Sequence, residues 1–354
     1  MTTYTIYVIL DIMNVDVLTN TARAMVAHGK GIIAADESID TCKKRFDAVG
    51  LECTEENRRL YRQIILTAPK IEQYVSGIIL FDETIRQKND EGIPFVDILT
   101  ARGILPGIKV DTGTSALALH ERESITNGLD GLRERLAEYA TYGARFAKWR
   151  AVIAIDADIP SEACIKANAL ALAHYAALCQ EAHIVPIVEP EVLMTGDHTI
   201  ERCAEVTEHV LEETGEELSR QGVAIGGIIL KPSMVIAGSN AANQSTPKEV
   251  ADFTVRVLSA TVPRELPGIT FLSGGQSDEQ ATANLQAMNA LGTHPWKLSF
   301  SYGRAIQNPA LAIWASDTQE NVAKAQEALL FRCKMNSLAA QGTYDASMEE
   351  SRTY

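Results

Sequence analysis

Short apolar runs recur along the chain, and each is followed by a longer segment that carries helix start or stop signals. Successive runs begin 28 to 44 residues apart, which leaves room for the crossover helix that joins two parallel strands. The runs are rich in β-branched residues and almost continuously hydrophobic, as expected of strands buried on both faces. The pattern predicts eight consecutive strand–helix units. In chain order, the strands are predicted to begin at Gly31, Val75, Leu105, Phe146, Val185, Gly226, Gly268 and Trp296.

The helix signals lie between these runs. Thr246, Pro247 and Glu249 combine an N-cap residue, a proline at the first helical position and the N3 glutamate of a capping box. Ser277 and Asp317 begin segments with the same cap-to-N3 spacing. Glycine follows three helical segments, at the place where a left-handed residue is favoured. These glycines are Gly143, Gly222 and Gly292.

Eight strand–helix units in a chain of 354 residues predict an α/β protein built as a (β/α)8 TIM barrel. An open, doubly wound sheet is the alternative, and it normally carries a glycine-rich phosphate loop after its first strand. Here the acidic segment Asp36–Ser38 follows the first run instead, so the barrel is favoured. We expect the barrel domain to span residues 18–342, with an N-terminal extension at 1–17 and a flexible C-terminal tail at 343–354.

Polar and ionisable residues interrupt or end most of the predicted strands. In a (β/α)8 barrel, functional side chains gather at the carboxyl ends of the strands. Lys148 and Arg150 lie inside an apolar run, and strand alternation puts both on one face with Val152. Two cations in a buried strand are costly unless they are paired or bind an anion, and Glu189 is one candidate partner. The other such residues are Asp36, Lys109, Glu191, Lys231, Ser273 and Arg304.

Lys148 and Lys231 together permit amine chemistry. A neighbouring ammonium and partial burial lower the pKa of a lysine, and the neutral amine then attacks carbonyl carbons. Ser273–Gly275 and Gly303–Arg304 would bind an anion, since glycines let backbone N–H groups approach a phosphate. Metal catalysis is the competing hypothesis. The seven histidines have no H-x-H or H-E-x-x-H spacing, so no metal site is predicted.

Composition narrows the classes of partner and compartment. The 46 acidic and 32 basic side chains give a net charge of −14, which argues against nucleic acid and anionic membranes as partners. No apolar run reaches the roughly 18 residues of a membrane span, and no cation precedes the apolar stretch Tyr4–Leu10, so we expect neither a membrane segment nor a signal peptide. Six cysteines without a C-x-x-C pair suggest a reducing compartment. We therefore expect a cytoplasmic protein, with Met13 as an alternative natural start.

Seven motifs in a fixed order give the chain a family resemblance over residues 18–342. They are GKGIIAADES, GIKVD, FAKWR, PIVEPE, LKPSMV, FLSGGQS and SYGRA. In this order the motifs resemble class I fructose-1,6-bisphosphate aldolase. The resemblance implies a metal-independent (β/α)8 homotetramer without a separate cofactor. Such an enzyme reversibly cleaves fructose 1,6-bisphosphate to dihydroxyacetone phosphate and glyceraldehyde 3-phosphate in glycolysis and gluconeogenesis.

Carried over by position, the resemblance assigns catalytic roles to six residues. Lys231 would form the Schiff base with the ketose C2, and Glu189 would donate and accept protons during carbinolamine formation and dehydration. Asp36 would accept the C4 hydroxyl proton as the C3–C4 bond breaks. Lys148 would hold Lys231 neutral and support proton transfer. Tyr354, at the end of the tail, would assist proton exchange at the dihydroxyacetone carbon, and Glu191 would belong to the ion network described next.

The resemblance also implies an ion network and two phosphate sites. Arg150 and Glu191 would complete the ion network around Lys148. The C6 phosphate end would be held by Ser38, Arg45 and Lys109, with Arg58 also linked to substrate. The C1 phosphate would be bound by Ser273, Gly274, Gly275, Ser301, Gly303 and Arg304.

Two segments depart from the family pattern near the C6 phosphate. Ile39–Thr41 replaces the usual Thr-Gly-Ser, which removes a glycine and adds the acid Asp40, and Thr112 stands where a second lysine often follows. Both changes make that end of the site less positive. A preference for sedoheptulose 1,7-bisphosphate or fructose 1-phosphate is therefore an alternative. A second alternative is an aldolase that acts chiefly as a scaffold or a cytoskeleton-binding protein.

Overall fold

The computed structural model describes residues 15–354, in which eight parallel strands close into a barrel. The strand order around the barrel is β1-β10-β9-β8-β7-β6-β3-β2. A two-stranded antiparallel hairpin, β4–β5, lies outside the barrel. The barrel strands are β1 (Gly31–Ala35), β2 (Val75–Leu80), β3 (Leu105–Lys109), β6 (Phe146–Ile153), β7 (Val185–Val192), β8 (Ile229–Leu230), β9 (Gly268–Phe271) and β10 (Lys297–Tyr302), and the hairpin strands are β4 (Thr114–Ala116) and β5 (Ser124–Thr126).

Helices surround the barrel and connect its strands. They are a helix over residues 15–25 (α1), α2 (Ile39–Asp47), α3 (Glu55–Thr67), α4 (Asp82–Ile85), α5 (Phe95–Ala101), α6 (Leu132–Thr141), α7 (Glu162–Glu181), α8 (Ile200–Arg220), α9 (Pro247–Thr261), α10 (Asp278–Ala290), α11 (Arg304–Ser316) and α12 (Val322–Ala340). Short 3₁₀ turns occur at Ile71–Gln73, Ile225–Gly227 and Ala346–Ser351. The prediction of a (β/α)8 barrel is confirmed.

The predicted helix caps are confirmed at two of three positions. Thr246 and Glu249 form the reciprocal hydrogen bonds of a capping box, and the Ser277 side chain accepts from the N–H of Gln280. The third prediction was wrong, because α12 does not begin beside Asp317. That carboxylate accepts from two backbone N–H groups of a turn after α11, so it closes the turn and the helix begins later.

Helix α1 closes the N-terminal end of the barrel. Its residues Leu18, Ala22 and Met25 are buried in one cluster with barrel-interior residues such as Ile32 and Phe146. The boundary expected between residues 17 and 18 falls inside this helix. Most of the predicted N-terminal extension, including Met13, lies outside the described residues.

The C-terminal segment packs against the outside of the barrel. Glu349 pairs with the fully buried Arg332 of α12 at 2.7 Å. Arg352 lies 2.8 Å from Glu349 and 3.4 Å from Asp278, at the start of α10. Ion pairs therefore hold residues 346–352 against two helices of the barrel.

The closure of the barrel by α1 leads to a stability prediction. Met25→Ala removes a fully buried side chain from the end of the barrel, so we expect a loss of about 2–5 kcal/mol in the free energy of unfolding. Urea denaturation measures this loss. Val17→Ala on the same helix, where the residue is 45% exposed, should change the free energy by less than about 1 kcal/mol. Equal effects of the two substitutions would contradict the packing role of α1.

Candidate active site

A cavity of about 970 Å³ opens at the carboxyl ends of β1, β2, β3 and β6. This is the end at which (β/α)8 barrels carry their functional residues. Five of the residues predicted for the site line it: Asp36, Ser38, Lys109, Lys148 and Arg150. The positions that depart from the family pattern, Asp40, Thr41 and Thr112, line it as well.

Lys148 lies at the base of this cavity among three carboxylates. Strand alternation in β6 directs Lys148 and Arg150 to the interior, while the neighbouring Trp149 packs outward against Tyr175 of α7. The ammonium nitrogen of Lys148 is 2.7 Å from Asp36, 3.4 Å from Glu189 and 3.9 Å from Asp111. Burial alone lowers the pKa of a lysine, but here the three carboxylates raise it well above its ordinary value. Lys148 is therefore a fixed positive charge.

Asp36 is held as a carboxylate by the same contact. Burial raises its pKa, but the charges of Lys148 and Lys231 outweigh burial and lower the pKa to about 2. The residue follows β1 directly and is 8% exposed. Asp36 is therefore an unprotonated oxygen base inside the cavity at neutral pH.

Glu189 lies between the two buried lysines. Its Oε1 is 3.0 Å from the nitrogen of Lys231, and its Oε2 is 3.4 Å from the nitrogen of Lys148. Lys231 follows the short strand β8, and its backbone N–H continues the ladder by donating to the carbonyl of Val188. One carboxylate thus contacts a lysine on each side, which is the arrangement needed to pass a proton to or from a group bound at Lys231.

Arg150 and Glu191 form an ion pair at the rim of the cavity. The partners lie on adjacent strands, with Val152 opposite Glu191 in the register of β6 and β7. Burial lowers the pKa of Arg150, but the neighbouring Glu191 carboxylate raises it by more than burial lowers it. The guanidinium therefore stays charged. Glu189 contacts Lys148 and Lys231, whereas Glu191 is the hydrogen-bonding partner of Arg150.

The residues predicted to bind an anion come together across β9 and β10. Gly274 and Gly275 have φ angles of 61° and 101°, a region that glycine enters freely. A Cβ on Gly275 would lie 3.8 Å from a guanidinium nitrogen of Arg304, so the two segments meet. Gly303 precedes the first turn of α11, whose N–H groups favour an anion. The hydroxyl of Ser301 is buried there without a hydrogen-bond partner among residues 15–354.

Lys109 has a close partner that the sequence pattern did not identify. Its nitrogen lies 2.6 Å from a carboxylate oxygen of Asp111, and the other oxygen of Asp111 faces Lys148. Asp111 is 8% exposed, so it belongs to the charged interior. The sequence did carry a signal that could have identified Asp111: its carboxylate follows Lys109 by two residues, at the end of a predicted strand. Arg86 and Arg135 also line the cavity and were not identified either.

Three further predicted residues, Arg45, Arg58 and Tyr354, neither line this cavity nor belong to the groups described above. Arg45 pairs with Glu37 and donates hydrogen bonds to Tyr61 and to Asn308 of α11. It therefore lies beside α11 and does not lie with Lys109. Arg58 pairs with Glu83 at 2.5 Å. Tyr354 packs its ring against Phe331 at a centroid distance of 5.8 Å. Their predicted contacts with substrate stay predictions.

The (β/α)8 fold and the buried chain of lysines and carboxylates at the mouth of the barrel are typical of an enzyme that uses an amine nucleophile. The family model for fructose-bisphosphate aldolase class-I matches residues 17–354. A probable fructose-bisphosphate aldolase class 1 from Xanthomonas axonopodis pv. citri is 58% identical over 94% of this chain and 99% of its own length. Fructose-bisphosphate aldolase 1 of Toxoplasma gondii is 51% identical over 92% and 90%.

A solved structure leads to the same family. It contains fructose-bisphosphate aldolase from Plasmodium falciparum in complex with TRAP and a small-molecule inhibitor. Its TM-score is 0.92 at 49% identity, covering 94% of this chain and 96% of that one. The chain belongs to the class-I fructose-bisphosphate aldolase family, whose members are lyases that use a lysine Schiff base and no metal. The resemblance seen in the sequence is confirmed. Within residues 15–354, no helix is long and apolar enough to cross a bilayer.

The low pKa of Asp36 predicts a specific dependence of stability on pH. The carboxyl changes from a pKa of 3.8 when exposed to about 2 in the fold, so its contribution is complete above pH 3.8 and is lost as the pH falls through 2. The free energy of unfolding of wild type relative to Asp36→Asn should fall by about 2 kcal/mol between about pH 5 and pH 2. Denaturant titrations measure it, with the exposed Asp252→Asn as control. A difference that does not change with pH would contradict the prediction.

Proposed function

We propose that this chain reversibly cleaves fructose 1,6-bisphosphate to dihydroxyacetone phosphate and glyceraldehyde 3-phosphate, with Lys231 as the Schiff-base residue. One observation carries the proposal: Lys231, Glu189, Lys148 and Asp36 form a continuous buried chain of charged groups at the mouth of the barrel. Family membership supports the reaction, and this chain of contacts supports the assignment of its residues.

The first half of the reaction forms the iminium. The neutral amine of Lys231 attacks C2 of the open-chain ketose, and a carbinolamine forms. Glu189, 3.0 Å from the amine nitrogen, first takes the proton that Lys231 loses to become the neutral amine, and then gives that proton to the departing hydroxyl of the carbinolamine, so that water leaves. A C2 iminium remains, and its positive charge withdraws electrons from the C3–C4 bond. Lys148 stays protonated and balances the negative charge of Glu189 and Asp36.

The second half breaks the carbon–carbon bond. Asp36 takes the proton of the C4 hydroxyl, the C3–C4 electron pair moves toward the iminium, and an enamine forms as the aldehyde leaves. The low pKa of Asp36 means that it accepts this proton only briefly and returns it readily. Protonation of the enamine at C3, in which Tyr354 would assist, and hydrolysis of the iminium then release dihydroxyacetone phosphate and restore Lys231.

The two phosphates are proposed to bind at opposite sides of the mouth. The C1 phosphate would take the N–H groups of Gly274, Gly275 and the first turn of α11, together with Arg304. The buried hydroxyl of Ser301, which has no hydrogen-bond partner in the described part of the chain, supports this assignment. The C6 phosphate would lie toward Lys109 and Ser38, in the wide part of the cavity. Ser273 and Gly303 would complete the C1 site.

Borohydride trapping tests the role of Lys231. Reduction in the presence of dihydroxyacetone phosphate should leave a stable adduct on the peptide that contains Lys231, read by mass spectrometry. Lys231→Met should give no adduct and should lose at least about 10³-fold in kcat, because the covalent step is removed. Lys109→Met serves as the matched control and should still be trapped. An adduct on another lysine of the wild-type chain would overturn the assignment.

The position of Glu189 between two lysines predicts a kcat effect. Glu189→Gln keeps the shape of the side chain but removes the proton carrier, so kcat should fall by about 10²–10⁴-fold. Steady-state cleavage assays measure this fall. Glu83→Gln, which removes the partner of Arg58 outside the cavity, should change kcat far less. Similar losses in both variants would contradict the proton-carrier role.

Substrate preference is proposed to depend on the Asp40 and Thr112 positions. Both line the cavity near Lys109, whose charge Asp111 already balances. Thr112→Lys should raise kcat/KM for fructose 1,6-bisphosphate by about tenfold and leave fructose 1-phosphate nearly unchanged, because only the former carries a C6 phosphate. A panel that includes sedoheptulose 1,7-bisphosphate identifies the preferred ketose. Equal gains for both fructose phosphates would contradict the assignment.

We further propose that the enzyme is a cytoplasmic homotetramer, as the family resemblance implies. Light scattering during gel filtration would give the mass of four chains of 38.5 kDa each. Cell fractionation with a tagged chain tests the compartment. A mass of one or two chains would contradict the tetramer.

A further inference from the structure

A second large cavity lies at the opposite end of the barrel from the active site. Its volume is about 590 Å³, and its lining comes from the end of α1 and from the segments that precede β8, β9 and β10. We call it the N-face cavity. The apolar cluster of α1 and the barrel interior separates it from the mouth of the barrel. Nothing in the proposed reaction uses it.

The lining of the N-face cavity is strongly cationic. It carries three permanent cations and two histidines against one carboxylate, in a chain whose net charge is −14. The cations are Arg23, Arg264 and Lys297, the histidines are His28 and His294, and the carboxylate is Glu265. None of the three cations forms an ion pair with any residue between 15 and 354. His28 and Lys297 also line an adjoining cavity of about 180 Å³, which adds a further cation, Lys30.

The segments that carry two of the cations are braced. The indole N–H of Trp296 donates to the carbonyl of Pro263 at 2.8 Å. The backbone N–H of Lys297 donates to Pro267, and Lys297 pairs with the start of β9 in the barrel register. The backbones of Arg264 and Lys297 are therefore fixed relative to each other. Only their side chains need to be ordered when a ligand binds, which lowers the entropic cost.

The dipole of α1 explains only part of this charge. Arg23 lies in the last turn of the helix and His28 follows it, where cations are favoured by the partial negative charge of the carbonyls. Arg264 lies before β9 and Lys297 lies at the start of β10, so the dipole of α1 does not account for these two charges. Within residues 15–354, the three cations are exposed, line one cavity and have no carboxylate partner, an arrangement that an anionic ligand would complete.

We propose that the N-face cavity binds a small molecule with two or more phosphate groups. Arginine and lysine are the side chains that hold phosphate best, and two phosphates would balance three cations better than a single carboxylate would. The volume falls within the range of small-molecule sites. A ligand bound there would join α1 to the segments before β9 and β10, and so would stabilise the closed end of the barrel.

Calorimetric titration of the full-length chain with inorganic pyrophosphate tests the proposal. The Arg304→Gln background used here also carries Lys109→Gln, so that both proposed phosphate sites at the mouth are weakened and pyrophosphate bound by this background is expected at the N-face cavity. Adding Arg264→Gln and Lys297→Gln should then weaken the remaining binding by at least tenfold. On the wild-type background, these two substitutions should leave kcat/KM for fructose 1,6-bisphosphate within twofold. Failure of this background to bind pyrophosphate, or equal binding with and without the two N-face substitutions, would overturn the proposal.

A charge-matched control separates a site from a general charge effect. Arg220→Gln with Lys248→Gln removes the same two charges from exposed positions on α8 and α9. In the same Arg304→Gln and Lys109→Gln background, this pair should leave pyrophosphate binding unchanged, and an equal loss would overturn the proposal. If the melting temperature of the N-face variant falls without ligand, Lys297→Gln alone repeats the test with a smaller expected loss of about threefold.

Discussion

The contact of one buried carboxylate with two lysines is the constraint on which the active site depends. Charges in a barrel interior are tolerated only when they are paired, and here three lysines face three carboxylates: Lys109, Lys148 and Lys231 against Asp36, Asp111 and Glu189. Glu189 joins the Lys231 side of this set to the Lys148 side. Removal of any one member leaves a net charge in the interior. The set therefore fixes the positions of these groups, and its charges lower the pKa of Asp36 and raise the pKa of Lys148.

The strand alternation that builds this set also divides the barrel interior into two halves. Near the N-terminal end, the inward positions of β6 and β7 are apolar, as at Phe146 and Ile187, and α1 packs against them. Further along the same strands, the inward positions are Lys148, Arg150 and Glu189. The apolar half supplies the packing that holds the strands in register. The polar half then receives its charges at fixed separations.

The fold could be read from the sequence because its signals are local and repeated. Every barrel strand matches one of the eight apolar runs, and the Thr246 cap depends on residues three apart. Features that depend on distant contacts were not accessible in this way. Asp111 became part of the site only because β3 lies beside β6, and the contacts of Arg45 with Glu37 and Asn308 depend on α2 lying beside α11. The β4–β5 hairpin is three residues on each side, too short to give a periodic signal.

The closure of one end of the barrel by α1 has a kinetic consequence. Within residues 15–354, Leu18, Ala22 and Met25 fill the floor of the barrel, so substrate and both products would enter and leave at the mouth. In the proposed reaction, the three-carbon ketose fragment would still be tethered to Lys231 after the carbon–carbon bond breaks, whereas the aldehyde would be free. The aldehyde must therefore vacate the mouth first, and in the synthetic direction it must arrive last. The order of binding and release follows from a barrel with one entrance and one covalent anchor.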